Sequence, residues 1–158
     1  MDCKKLLILI VALLPLALGA KKEETPDTIS ARRAFIEMPA SVLELISTDT
    51  RLDMLDYFDA GSPYTAINEL HGNSRLKTLT PDYAEVEVTP VSRLQIKVLP
   101  MKKGNQIVMA VYTTGDSIGT RDSDIYFFDA GMNPLPAEKY LKLPKLSEFF
   151  SSDRKSVV

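Results

Sequence analysis

The stretch Asp49-Thr50-Arg51-Leu52-Asp53-Met54-Leu55-Asp56-Tyr57-Phe58-Asp59-Ala60-Gly61 decides how the chain is read. Leu52, Leu55 and Phe58 recur at three-residue steps and Met54 and Tyr57 widen the stripe, so the segment predicts a helix with an apolar face and an acidic back. Such a face needs a sheet to cover. Asp49 or Thr48 is placed to cap the first free amides, and Gly61 followed by Pro63 supplies a left-handed stop and a break. Asp53, Asp56 and Asp59 read as a solvated helix face rather than a cation site.

Upstream, Asp27 or Thr28 is placed to cap a short helix through Ile29, Arg32, Arg33 and Phe35, stopped before Pro39. Ser41 and Glu44 have the spacing of a capping box ahead of Leu45 and Ile46. Three short helices are thus expected before any strand. Downstream the period changes to two. Tyr64 to Leu70 predicts a strand, His71-Gly72-Asn73 a tight turn, and Arg75 to Leu79 its partner. Ala84, Val86 and Val88 alternate with Tyr83, Glu85 and Glu87, and Leu94, Ile96 and Val98 alternate with Arg93, Gln95 and Lys97. Both are half-buried strands, the first set inward.

A hairpin is expected at Met101 to Asn105. Gln106 to Thr113 then contains an uninterrupted apolar run, as in a strand covered on both faces or set mid-sheet. A loop from Thr114 to Ser123 leads to a last strand, Asp124 to Asp129, while Gly131, Pro134 and Pro136 prohibit a long regular element after it. Glu138 to Phe150 reads as a strand or turn plus a short helix reaching back to the sheet. Short N-terminal helices packed on one face of an antiparallel sheet of about six strands make an α+β fold.

The chain begins Met1-Asp2-Cys3-Lys4-Lys5, runs uncharged from Leu6 to Leu18, and reaches Gly19-Ala20 before Lys21-Lys22-Glu23-Glu24. This is the three-part pattern of a secretory signal peptide, residues 1–20, cut near Ala20, and the apolar run is short for a bilayer span. Residues 21–27 then form a flexible leader, 28–150 a single domain and 151–158 a frayed tail. The expected location is periplasmic or secreted, with nothing spanning the membrane after cleavage. The mature part keeps 17 basic and 20 acidic residues, net −3, which gives no basic field for nucleic acid. Cys3, the sole cysteine, leaves with the signal, so neither a disulfide nor a thiol nucleophile is expected.

His71 is the sole histidine and sits in an expected turn, which leaves no Ser-His-Asp base and too few ligands for zinc or copper. The loop Asp116 to Asp124 holds three carboxylates near Gly119 but lacks the alternate-residue ligands and terminal Glu of a calcium loop. Phosphate-loop and dinucleotide signatures are absent, and no cofactor is expected.

Phe35 with Met38-Pro39, Arg51 through Phe58, Asn68 with Gly72, Leu79-Thr80 with Asp82-Tyr83, and Ile96 through Pro100 carry a resemblance. Their order and spacing, across roughly Phe35 to Leu135, resemble a small secreted bacterial family catalogued as a domain of unknown function, DUF3256. The family's ending carries a Trp shortly before Pro-Leu, whereas Met132-Asn133 stand there in this chain. The resemblance implies export in envelope-bearing bacteria and a helix-plus-antiparallel-sheet domain, and it carries no catalytic residue.

Two functions from different classes are compatible with these residues. The favoured one is a non-catalytic envelope module gripping a protein, peptide or small ligand on an open sheet face that offers Tyr83, Arg93, Gln95, Lys97 and one side of the apolar strand, with Tyr112 as its candidate aromatic. It expects an exposed patch of several hundred Å², unless the C-terminal segment from Tyr140 covers that face. The alternative is a small secreted hydrolase that uses a pair of carboxylates, with Asp82, Glu85, Glu87 and others available on one strand face, and it expects two acids converging in a cleft with their carboxyl groups about 5–10 Å apart.

Overall fold

The computed structural model describes residues 28–116 and 118–145, the side chain of Lys103 excepted. The expected signal peptide, leader and tail, and the Leu146–Phe150 end of the C-terminal segment, lie outside these residues. Helix α1 spans Ala31–Glu37 and α2 spans Thr48–Asp59. Seven strands follow: β1 Ala66–Ile67, β2 Asn73–Leu79, β3 Tyr83–Thr89, β4 Ser92–Pro100, β5 Gln106–Gly115, β6 Arg121–Asp129 and β7 Pro134–Leu135. They form one antiparallel sheet in the order β1-β2-β3-β4-β5-β6-β7, so every strand lies beside its sequence neighbour. The α+β class with an antiparallel sheet is as expected, and among the described residues the short strand β7 brings the count from about six to seven.

The register sorts the strand residues onto two faces. Leu76, Val86, Leu94, Tyr112 and Asp124 pair in succession across β2 to β6, as do Ala84, Ile96, Ala110 and Tyr126. Of the alternating set, Ala84, Val86, Val88, Leu94, Ile96 and Val98 are buried, and they join Phe35, Leu43, Ile46, Met54 and Leu55 in one core. Helix α1 packs against β3 and β4, and α2 against β1 and β2.

Among the described residues, two helices precede the sheet, not three. Ser30 caps α1 by accepting from the Arg33 amide, and Ser47 caps α2 by accepting from the Thr50 amide, so both caps fall outside the residues expected to supply them. Residues 39–46 form turns instead of a helix, with the Leu43 amide donating to the Pro39 carbonyl and the Ile46 amide to the Leu43 carbonyl. Arg51, 3 % exposed, ties down the chain on either side of these turns: its guanidinium donates to the carbonyls of Ile46 at 3.1 Å, Ile36 at 2.9 Å and Met38 at 2.6 Å.

The apolar stripe of α2 is also rotated from the expected one. Arg51, Met54 and Leu55 are its buried residues, while Leu52 is 44 % exposed. The expected strand from Tyr64 to Leu70 shrinks to β1, because Asn68 turns the chain there: its side-chain oxygen accepts the Leu70 and Gly72 amides. His71 takes the left-handed conformation, φ 57°, inside that turn. Strand β6 starts three residues earlier than expected, at Arg121.

Candidate functional site

The face opposite the buried strand residues is built from rows of cross-strand partners. One row reads Glu85, Gln95, Val111, Ile125, and the next Tyr83, Lys97, Met109, Phe127, Leu135. A third holds Glu87, Arg93, Thr113 and Ser123. The face is therefore polar over β3 and β4 and apolar over β5 and β6. Tyr83, Arg93, Gln95 and Lys97 lie together on its polar half, and all four are half-buried.

The polar half is knitted by its own charges. Gln95 Nε2 donates to the Tyr83 hydroxyl at 2.9 Å, which donates to Glu85 Oε2 at 3.2 Å. Arg93 stands 3.8 Å from Glu85, and Lys77 stands 3.8 Å from Glu87. Lys97 donates to Asp82, a hydrogen bond that, with help from Thr80, holds the Asp82 carboxyl below its ordinary value. Glu85 and Glu87 thus line one shallow cleft with Lys77, Arg93 and Arg121, each carboxylate faced by a cation.

Tyr112 is not brought to this face. It pairs with Leu94 on one side and Asp124 on the other, which sets it among the residues of the core side, where burial pushes its phenol up against an opposing hydrogen bond with Ser92. The other side of β5 is the one that joins the four residues, through Met109 and Val111. Sequence alone had left both sides of the run open. The C-terminal segment covers one corner: Tyr140 stacks on Phe127 with ring centroids 5.1 Å apart and planes at 28°. Met109, Val111 and Ile125 stay half-buried.

At the rim of the sheet beyond β6, a groove of about 320 Å³ is lined by Pro39, Val42, Ile125, Phe127 and Leu135. These residues escaped the sequence reading, since Val42 belongs to the segment read as a helix, although the run Ile125 to Phe128 carried the apolar signal. Asp116 Oδ1 accepts the Ile118 and Thr120 amides at 3.0 and 2.9 Å, serving the loop backbone. No group of three metal-ligating side chains occurs among the described residues. His71 is exposed in its turn. Among the described residues, no helix is long and apolar enough to cross a membrane.

A solved structure of a domain of an uncharacterized protein from Porphyromonas gingivalis W83 is similar to this chain, with a TM-score of 0.61 at 24% identity. The likeness covers 77% of this chain and 61% of that one, so this chain spans less than two-thirds of its neighbour, and the neighbour speaks to fold alone. No curated protein matches the chain. The sequence model of the family described as "Protein of unknown function (DUF3256)" matches residues 27–158, which is most of the chain, and the chain belongs to that family.

Proposed function

We propose that this protein is a non-catalytic binding module of the bacterial cell envelope, exported by residues 1–20 and gripping a protein, peptide or small ligand on its amphipathic sheet face. Both helices, in this reading, cover the other face, which the single core shared by Phe35, Met54, Val86 and Ile96 supports. One observation carries the proposal: Tyr83, Arg93, Gln95 and Lys97 share a face with half-buried Met109, Val111 and Ile125. Polar side chains fixed in place beside accessible apolar ones, on a rigid sheet, form a surface able to orient and desolvate a partner. The carboxylate-pair hydrolase gains no support from Glu85 and Glu87, each of which faces a cation in a shallow cleft.

A photo-crosslinking residue at Gln95, compared with one at Asp53 on the exposed side of α2, tests the face in the native cell. Discrete adducts at position 95 that are missing at position 53 are expected; matching adducts, or none at either position, refute the module. N-terminal sequencing of the exported protein is expected to begin near Lys21, and a retained Met1 would refute export by cleavage.

A further inference from the structure

The outer edge of β6 is largely bare. Strand β7 pairs only with Phe127 and Phe128, so on the side away from β5 the stretch from Arg121 to Tyr126 has no neighbour strand among the described residues. The Asp129 amide donates outward to the Asn133 carbonyl at 3.0 Å, and by strand alternation the backbone groups of Ile125 and Ser123 point the same way. Asp122 Oδ1 accepts the Ser123 amide at 2.8 Å, which blunts that position. The N–H and C=O of Ile125 have no partner among the described residues.

Two further features adjoin this edge. The groove of about 320 Å³ between Val42 and Ile125 continues the line that β7 begins. Asp124 lies on the same side as Tyr126, Asp122 shares that side, and Glu44 stands near enough that, after burial, its charge and that of Asp124 push the Tyr126 phenol up. An apolar slot thus ends in an acidic rim.

We propose that the β6 edge is a docking site for an extended peptide that adds as an antiparallel strand, seating an apolar side chain in the groove and basic side chains against Asp124 and Asp122. Bare backbone supplies the affinity and alternate side chains supply the choice, as in strand addition generally. An antiparallel strand passes Tyr126 first, then Asp124, then Asp122, so the sequence selected is apolar-x-basic-x-basic. The edge is distinct from the sheet face and does not depend on its reading.

The probe is the peptide Thr-Phe-Thr-Lys-Thr-Lys-Thr, blocked at both ends and dye-labelled, against a version with Glu in place of Lys. Fluorescence anisotropy with the purified full chain is expected to favour the Lys peptide by about tenfold, with Asp124→Lys cancelling the preference. Ile125→Pro removes the outward N–H at an edge position that tolerates proline, and is expected to weaken binding by about tenfold. Should that variant fail to fold, Asp124→Lys and slowed exchange of the Ile125 amide on peptide binding test the same edge. Equal affinity for both peptides, or no binding of either, overturns the proposal. So does an Ile125 amide already protected without peptide, whether the protection fades on dilution, which marks a second copy, or is lost in the F149S/F150S variant, which marks the chain's own C-terminal segment.

Discussion

Arg51 is a cation held by carbonyl oxygens. Burial pulls its guanidinium below its ordinary value, yet an arginine keeps its charge, and the Ile36 carbonyl in the last turn of α1 supplies part of the compensating negative potential. Arg51→Met would leave the Ile36, Met38 and Ile46 carbonyls without that donor, and is expected to cost about 3 kcal/mol, read as a lower urea midpoint at unchanged slope. Arg51→Lys is expected to recover little, because a point charge cannot reach three acceptors on a fork. Asn68 performs a similar service in the turn before β2, donating to Ser74 Oγ and the Val88 carbonyl while accepting two amides. Acid sensitivity also belongs at this scale. The hydrogen bond from Arg32 lowers the Asp59 carboxyl, and that from Lys97 lowers Asp82. A carboxylate depressed in the fold stabilises fully above its unfolded value, near pH 4, and loses that contribution as pH falls through the lower folded value. Stability is therefore expected to decline slightly from about pH 4 downward, and Asp82→Asn to flatten that limb while lowering neutral stability by the same small amount, since the pair is exposed. Urea midpoints across the acid range check both.

Among elements, β2 holds a register shift between Leu76 and Thr78 that gives Lys77 no partner of its own. It has a purpose. Leu76 pairs with Val86 and Leu79 with Ala84, so the extra residue lets two leucines three apart face the same side, which an unbroken strand forbids. Deleting Lys77 is expected to remove the bulge and leave Leu76 and Leu79 two apart on the same side of an unbroken strand, changing thermal or chemical unfolding by no more than about 0.5 kcal/mol. Strands β3 and β4 were legible because each buries one side and wets the other, so the pleat is written directly in Ala84 to Val98. Strand β6 was legible only from Asp124 onward, since Arg121-Asp122-Ser123 has no apolar member and is held by pairing with Thr113 to Gly115. The segment 39–46 misled because a capping-box spacing describes only what side chains permit locally, whereas these residues settle as turns that put Val42, Leu43 and Ile46 into the core. The polar quartet of the face was legible by period; the partner side of β5 was not, because both sides of Ile107 to Val111 are apolar and register alone decides between them.

For the whole molecule, the sheet is unequal from centre to rim. Strands β3, β4 and β5 are paired on both sides over most of their length, whereas β1 and β7 hold two residues each. Native-state hydrogen exchange is expected to give the slowest amides in β4 and its two neighbours and the fastest in the outer strands, measured by mass spectrometry or NMR. An inverted gradient would contradict this topology. Because strand order and chain order coincide, each newly delivered ribbon finds its mate among residues that arrived just before it. A chain emerging end first from a narrow exit can lay down this sheet row by row, and no early strand waits with bare amides for one that comes last.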